Sequence, residues 1–391
     1  MMEKLKVGII GTGFIGKQHV EAIRRIAGTE IAAISDRDEA KVKSVAEQLD
    51  IPAYYTDYTE MLKDESIQII HNCTPNIMHY SINKDIMNAG KHVYCEKPLT
   101  VTTSEAKELV ELADKTGVAA SVNYNYRHNA MVCEMRERIS YNMIGKPLMV
   151  YGEYLQDWLL YDTDYDWRID TAVGGASRAI ADIGSHCFDT LQYVLGKRII
   201  AVYAQLITAY TVRKKMIKEG TFGEAGNKLL DEVPVNSEDA AFILVKFEDN
   251  TPGLVQISQV CAGKKNGLKV IINGSKAALE WEQENPDKLH IGHRDRGNEM
   301  IFADSKYLTG FAKQVATLPN GHAVAWSDSF RNGIGAFYHA VREGSYKEKY
   351  QIFTTFEDGL YIMELIEACL ESDKKKNWIF INASKFSEEW G

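Results

Sequence analysis

The sequence predicts an α/β domain built on a parallel sheet, followed by an α+β domain with an open, mostly antiparallel sheet. Three observations carry this. The first 125 residues alternate strand-like and helix-like segments. After about residue 126, strand-like runs follow one another without intervening helices. At 391 residues the chain exceeds one ordinary domain of roughly 100–200 residues, so two units are expected, over 1–125 and 126–391.

In the first unit, short apolar runs lie at 6–10, 30–35, 67–73, 92–95 and 118–123. Stretches with helical spacing fall at 17–27, 39–49, 80–89 and 104–115, and Gly90 and Gly117 read as helix stops. Strands alternating with helices imply right-handed crossovers and a parallel sheet. In the second unit a helix is predicted over 129–140. Strands follow at 148–155, 199–209, 240–247, 253–260, 268–272 and 277–282. Phe247–Gly253 reads as a hairpin connection. The polar, glycine-containing stretch 213–235 reads as a long loop, and late helices are expected at 329–342 and 356–371.

The formal net charge of −9 argues against nucleic acid or an anionic membrane as the main partner, since phosphate binding needs a basic footprint. Cys73, Cys95, Cys133, Cys187, Cys261 and Cys369 show no CxxC spacing and sit in apolar segments, which points to free thiols in a reducing compartment. The opening MMEKLKVGII does not read as a signal peptide, and no apolar run approaches the roughly 20 residues of a membrane span. A cytoplasmic enzyme is expected.

The segment Gly11-Thr12-Gly13-Phe14-Ile15-Gly16 fits G-x-G-x-x-G between a strand and a helix, and Asp36 follows twenty residues after Gly16 at the end of a second strand. In a Rossmann domain the three glycines serve different ends. Gly11 makes the tight turn, Gly13 admits a pyrophosphate, and Gly16 allows close helix packing. The helix N-terminus offers free N–H groups to phosphate. Asp36 would accept hydrogen bonds from the adenosine ribose. Its charge favours NAD, while the adjacent Arg37 keeps NADP open.

At the carboxyl end of the 92–95 strand stands Glu96-Lys97-Pro98, where ligands of open parallel sheets bind. Further on, Asp182, His186 and Asp189 are spaced i, i+4 and i+7 along a helical run entered through Gly174-Gly175. An aspartate one turn from a histidine holds the ring and raises its basicity, which suits a general base near neutral pH. Tyr124–Arg127, Tyr154–Trp158 and Asp166–Arg168 add aromatic and polar groups of the kind that bind sugars, and core aromatics explain them equally well. His290, His293 and Asp295 match no usual zinc spacing, and no metal is expected.

Together these residues resemble the glucose–fructose oxidoreductase/inositol dehydrogenase (Gfo/Idh/MocA) family of sugar and polyol dehydrogenases. The matching features are the glycine-rich turn, Cys73-Thr74-Pro75-Asn76 with His79, Glu96-Lys97-Pro98, Asn125-Tyr126-Arg127, and Asp182 with His186. The resemblance implies hydride transfer between a secondary alcohol of a cyclic sugar or polyol and NAD(P). It implies that Lys97 contacts cofactor and reacting hydroxyl, that His186 takes the hydroxyl proton, and that Asp182 orients the substrate and His186. Thr74, Pro75, Asn76, His79 and Glu96 would line the cofactor cleft. Tyr126, Arg127, Gln156, Trp158 and Arg168 would bind substrate, and the open sheet would form a homodimer or homotetramer interface. The Tyr154–Trp158 run resembles a branch that includes levoglucosan-type dehydrogenases. An NAD-dependent glycosidase and a non-catalytic sugar or cofactor sensor remain open on the same scaffold.

Overall fold

The computed structural model describes residues 4–216, 230–319, 321–348 and 350–381. The chain begins with β1 (Leu5–Ile10), α1 (Phe14–Arg24), β2 (Thr29–Ser35), α2 (Glu39–Gln48), β3 (Ala53–Tyr55) and α3 (Tyr58–Leu62). It continues through β4 (Ile69–Asn72), α4 (Asn76–Asn88), β5 (His92–Cys95), α5 (Thr103–Thr116) and β6 (Ala120–Val122). The six strands form one sheet in the order β3-β2-β1-β4-β5-β6, parallel throughout. Strand β4 is buried on both faces, as its continuous apolar character requires when helices cover both sides. Local chemistry sets the ends of α5: Thr102 Oγ1 accepts from Glu105 N at 3.3 Å, and Gly117 closes the helix with φ +67°. The order reverses between β1 and β4, so a crevice opens beyond their carboxyl ends. Strand β3 and helix α3 were not expected from the sequence; three and five residues are too few to show a periodicity.

The remainder comprises α6 (Ala130–Ser140), β7 (Pro147–Leu155), α7 (Thr171–Gly174), α8 (Ser185–Leu195), β8 (Ile199–Ile207), β9 (Val212–Met216) and β10 (Leu230–Pro234). Then come β11 (Ala240–Phe247), β12 (Pro252–Ser258), β13 (Gly267–Gly274), β14 (Ala278–Glu282), β15 (Lys288–Gly292) and β16 (Glu299–Phe302). The last elements are α9 (Gly310–Val315), α10 (Trp326–Glu343), α11 (Phe356–Lys375) and β17 (Ile379–Phe380). Nine strands form the second sheet, in the order β16-β15-β14-β13-β7-β12-β11-β8-β17. Among the described residues of this sheet, only the β7–β12 pair is parallel. The stretch expected as a loop over 213–235 is entered and left as strands: β9 and β10 pair antiparallel, with Arg213 opposite Val233. The interior of that stretch, 217–229, lies outside the described residues.

One face of the second sheet is covered by helices. Helix α8 presses on β7 at Gly152, where a Cβ would come within 2.7 Å of Cys187 Sγ. The other face is open among the described residues. A cross-strand row there runs Tyr203, Leu244, Leu254, Tyr151, Ile271, Glu280, His290 and Met300. The two sheets fall on either side of residue 125, but their cores do not divide there. Phe330, Ile334, Phe337 and Tyr338 of α10 pack into the same apolar cluster as Val7, Ile9 and Ile23. Among the described residues, no helix is long and apolar enough to cross a membrane.

Candidate active site

The glycine-rich turn joins β1 to α1. Gly11 has φ +97°, and a Cβ on Gly16 would lie 2.0 Å from Gly11 O, so both positions exclude larger residues. Space beside Gly13 is open to 4 Å. Helix α1 starts at Phe14, earlier than expected, and no side chain caps it, which leaves its first N–H groups free for an anion. Thr12 donates to Asp36 Oδ2 from its N–H at 3.1 Å and its hydroxyl at 2.6 Å. Burial pushes the Asp36 carboxyl up, but hydrogen bonds from Lys41 and Thr12 outweigh this and hold it at about 2. Lys41 Nζ lies 2.6 Å from Asp36, and the next residue in sequence, Arg37, is exposed. Lys41 escaped the sequence reading because it lies one helical turn beyond the motif. Phe14 is exposed and Ile15 half-buried. An open cradle, free helix amides and a fixed carboxylate fit a dinucleotide.

Thr74, Pro75 and Asn76 form the turn into α4, and Asn76 Nδ2 donates to Gly174 O at 3.2 Å. His79 is fully buried behind this turn. Its ring nitrogens lie 2.8 Å from both Thr74 O and Pro98 O, so it ties two turns together and does not face the cleft.

Lys97 stands at the carboxyl end of β5, before a cis peptide to Pro98. Its Nζ donates to Asp182 Oδ1 at 2.6 Å and to Asp182 O at 3.0 Å. Asp182 lies in a π-helical turn, Ile180–Gly184, that leads into α8. Its Oδ1 is also 3.5 Å from Arg168 Nε, and its Oδ2 accepts from Gln259 Nε2 at 2.9 Å. Burial pushes Asp182 up, but Lys97 and Arg168 hold it well below the usual carboxylate range.

His186 corrects the sequence expectation. The π turn changes the helical phase between Asp182 and His186. The carboxylate goes to Lys97, Arg168 and Gln259 and makes no hydrogen bond to the ring. His186 packs instead edge-on to Tyr124 and Tyr126, with centroids 5.6 and 4.9 Å away. Burial first, then the Lys97 charge, push its pKa down to about 3, opposite to the expected rise. The ring is therefore neutral near pH 7, and its Nδ1 has no hydrogen-bond partner among the described residues.

A polar lattice stands beside it. Tyr126 and Tyr154 hydroxyls are 2.8 Å apart, both reach Asn266 Oδ1, and Gln156 Nε2 reaches the same oxygen at 3.4 Å. Trp158 Nε1 donates to Gln156 Oε1 at 2.9 Å. Arg168 lies over Trp167 and near Trp158, at 4.4 and 5.9 Å from the ring centroids. Tyr126, Gln156, Trp158 and Arg168 thus gather around Lys97, Asp182 and His186. Arg127 does not. It is buried, with its guanidinium held by Asp189 and Asp358, and it belongs to the framework beneath the site. Gln259 and Asn266 were missed by the sequence reading; neither carries a local motif, and each is brought in by the second sheet. His290 lies in the outer row of that sheet, and His293 pairs with Glu299. No group of residues suited to a metal occurs among the described residues.

Comparison with known proteins agrees with this geometry. The oxidoreductase family's NAD-binding Rossmann fold matches residues 5–124, and the same family's C-terminal alpha/beta domain matches residues 136–381. The chain belongs to the Gfo/Idh/MocA oxidoreductase family. As a member it carries an NAD-binding Rossmann domain and is an oxidoreductase. Levoglucosan dehydrogenase of Pseudarthrobacter phenanthrenivorans is 25% identical over 97% of this chain and 98% of that protein. Myo-inositol 2-dehydrogenase of Thermotoga maritima is 25% identical over 80% and 86%. Among solved structures, an oxidoreductase domain protein from Kribbella flavida superposes with a TM-score of 0.86 at 27% identity, covering 97% and 100% of the two chains. A levoglucosan dehydrogenase complex with NADH and L-sorbose shares the fold, with a TM-score of 0.86 at 23% identity over 97% and 99%.

Proposed function

We propose that this family member oxidises a secondary alcohol of a cyclic sugar or polyol, inositol-like or monosaccharide, with NAD as acceptor. The observation that carries this is the Lys97–Asp182 pair set beside a neutral, unpartnered His186 at the mouth of the cofactor crevice. NAD, when bound on the glycine-rich turn, supplies the hydride acceptor. Lys97 donates a hydrogen bond to the reacting hydroxyl and stabilises its developing negative charge. His186 takes the hydroxyl proton, for which a neutral ring is the competent form. Asp182 holds the Lys97 ammonium in place and accepts from a neighbouring hydroxyl. Tyr126, Gln156, Trp158 and Arg168 bind the rest of the ring, the aromatic faces against its C–H groups and the polar atoms against its hydroxyls. Relatives named for levoglucosan and myo-inositol support a cyclic, polyhydroxylated substrate.

The cations Arg37 and Lys41 beside Asp36 keep NADP as the second choice of cofactor. The open sheet face, with Leu244 46% and Leu254 37% exposed, suits a second copy of the chain in a homodimer or homotetramer. The free cysteines, five of them buried, suit a reducing compartment such as the cytoplasm. The test is NADH formation against inositols, aldoses, anhydrosugars and sugar acids, repeated with NADP. Accumulating NADH with at least one cyclic sugar or polyol is expected. Glycoside cleavage without net NADH would identify a glycosidase, and binding without turnover would identify a sensor.

A further inference from the structure

Behind Lys97 lies a buried polar chain that the proposed chemistry does not use. It draws one residue from each of four places in the fold: His19 from α1, His71 from β4, Tyr338 from α10, and Glu96 from the turn after β5. Tyr338 OH is 2.7 Å from His71 Nε2, His71 Nδ1 is 2.7 Å from His19 Nδ1, and His19 Nε2 is 2.8 Å from Glu96 Oε1. His19, His71 and Tyr338 are all 0% exposed. Tyr94 stacks on His71 with centroids 4.9 Å apart, and Phe330 meets His19 edge-on at 5.6 Å. The chain is closed off from water at its Tyr338 end, so it is not a route for protons to solvent.

Hydrogen-bond arithmetic fixes its direction. Burial would push the Glu96 carboxyl up, but His19, Asn123 and Lys97 together hold it at about 2, so it is an acceptor only. His19 must then donate from Nε2. Burial keeps His71 neutral, with a single N–H, and keeps the Tyr338 phenol protonated. If His71 carried its proton on Nε2, the Tyr338 hydroxyl would need a second acceptor, and none is present among the described residues. The arrangement that satisfies every group is Tyr338 O–H to His71 Nε2, His71 Nδ1–H to His19 Nδ1, and His19 Nε2–H to Glu96. Asn123 Nδ2 adds a second donor to Glu96 Oε1 at 2.6 Å, and Glu96 Oε2 accepts from the Lys97 backbone N–H at 3.3 Å.

We propose that Tyr338, His71 and His19 form a one-way hydrogen-bond chain that positions Glu96, and through it the Lys97 turn. The three are positioning residues for the reaction proposed above, and the claim rests on that reading only for its kinetic consequence. The chain also couples α10, which comes late in sequence, to α1 and the lysine turn at once. This gives a physical reason for α10 to pack into the first core.

The direct test is side-chain nitrogen NMR of the full-length protein labelled at histidine, with His19→Gln and His71→Gln used for assignment. The chain predicts His19 protonated on Nε2 only and His71 on Nδ1 only. His71 protonated on Nε2, or His19 doubly protonated, overturns it. This readout needs no substrate, so it stands or falls apart from the proposed activity. The kinetic test is Tyr338→Phe, which removes only the terminal donor. Tyr361→Phe serves as the control: Tyr361 also donates a buried hydroxyl, to Ile199 O at 2.8 Å, away from Glu96. With one hydrogen bond lost, kcat should fall about fivefold in Tyr338→Phe, with KM for NAD unchanged. The Lys97 ammonium resonance should shift in Tyr338→Phe and not in Tyr361→Phe. Equal kcat and an unmoved Lys97 resonance in folded Tyr338→Phe overturn the positioning role. If Tyr338→Phe does not fold, the wild-type tautomers still decide the chain.

Discussion

The two walls of the cleft are built in different ways. The cofactor wall is mostly backbone: a left-handed Gly11, a Gly16 with no room for a Cβ, free amides at the start of α1, and one fixed carboxylate. The proposed substrate wall is mostly side chain: Lys97, Asp182, His186, Tyr126, Gln156, Arg168, Gln259 and Asn266, drawn from both sheets and the segments between them. A backbone site tolerates few residues at few positions and leaves a mark in one short stretch of sequence. A side-chain site is assembled by topology, so its members lie far apart along the chain.

This contrast can be broken at either wall. The largest effect should come from Gly16→Ala, because its Cβ would meet the Gly11 carbonyl at 2.0 Å. Backbone must move, and NADH binding followed by fluorescence should weaken by more than about a hundredfold, or the domain should fail to fold. Next is Arg127→Met, which leaves Asp189 and Asp358 buried without their shared cation. A stability loss of about 3–5 kcal/mol is expected in denaturant titration. The sugar KM of the folded fraction should be unchanged, which separates framework from site. Asp36→Asn sharpens the cofactor side. It removes the charge that repels a 2′-phosphate while Arg37 and Lys41 remain, so the NAD-to-NADP preference should move about tenfold toward NADP. The Asp36 contribution to that preference should be constant from pH 5 upward in the wild type. A carboxyl held at about 2, below its ordinary 3.8, is fully ionised there and loses its charge only as pH falls through 2.

A further expected effect concerns pH and stability. His71, His79, His92, His128 and His186 all have pKa values lowered chiefly by burial, to about 4 for His92 and about 3 for His128 and His186. Below the ordinary value of 6.5 the unfolded chain binds more protons than the folded one. Stability is therefore full above about pH 6.5 and falls as the pH drops toward 4. The melting temperature should decrease by several degrees between pH 7 and pH 5, and an unchanged value would contradict neutral burial.

What was legible in the sequence follows the same division. The glycine spacing, Asp36 and the alternation of strands and helices are local, and the first sheet matches them apart from the short β3 and α3. In the second part, β11 spans the expected 240–247, because a run of eight residues, apolar at all but Lys246, is visible locally. The partners of Asp182 were not legible. A π turn, which has no propensity signature, rotates it away from His186, and its true neighbours Gln259 and Arg168 lie 77 and 14 residues away. Arg127 sits beside Tyr126 in sequence, but buried carboxylates far along the chain claim its guanidinium, so adjacency misled. The buried His19–His71 pair was likewise invisible, since it joins residues 52 apart on two elements.

The most direct test of the account is single-turnover NADH formation, with enzyme saturated in NAD and in a sugar that the wild type oxidises. It is measured for Lys97→Ala and His186→Ala alongside their NADH affinities. The account predicts turnover lower by about 10²–10⁴-fold in each, with NADH affinity within a few-fold of wild type. Near wild-type turnover in both variants, with cofactor still bound, would contradict it.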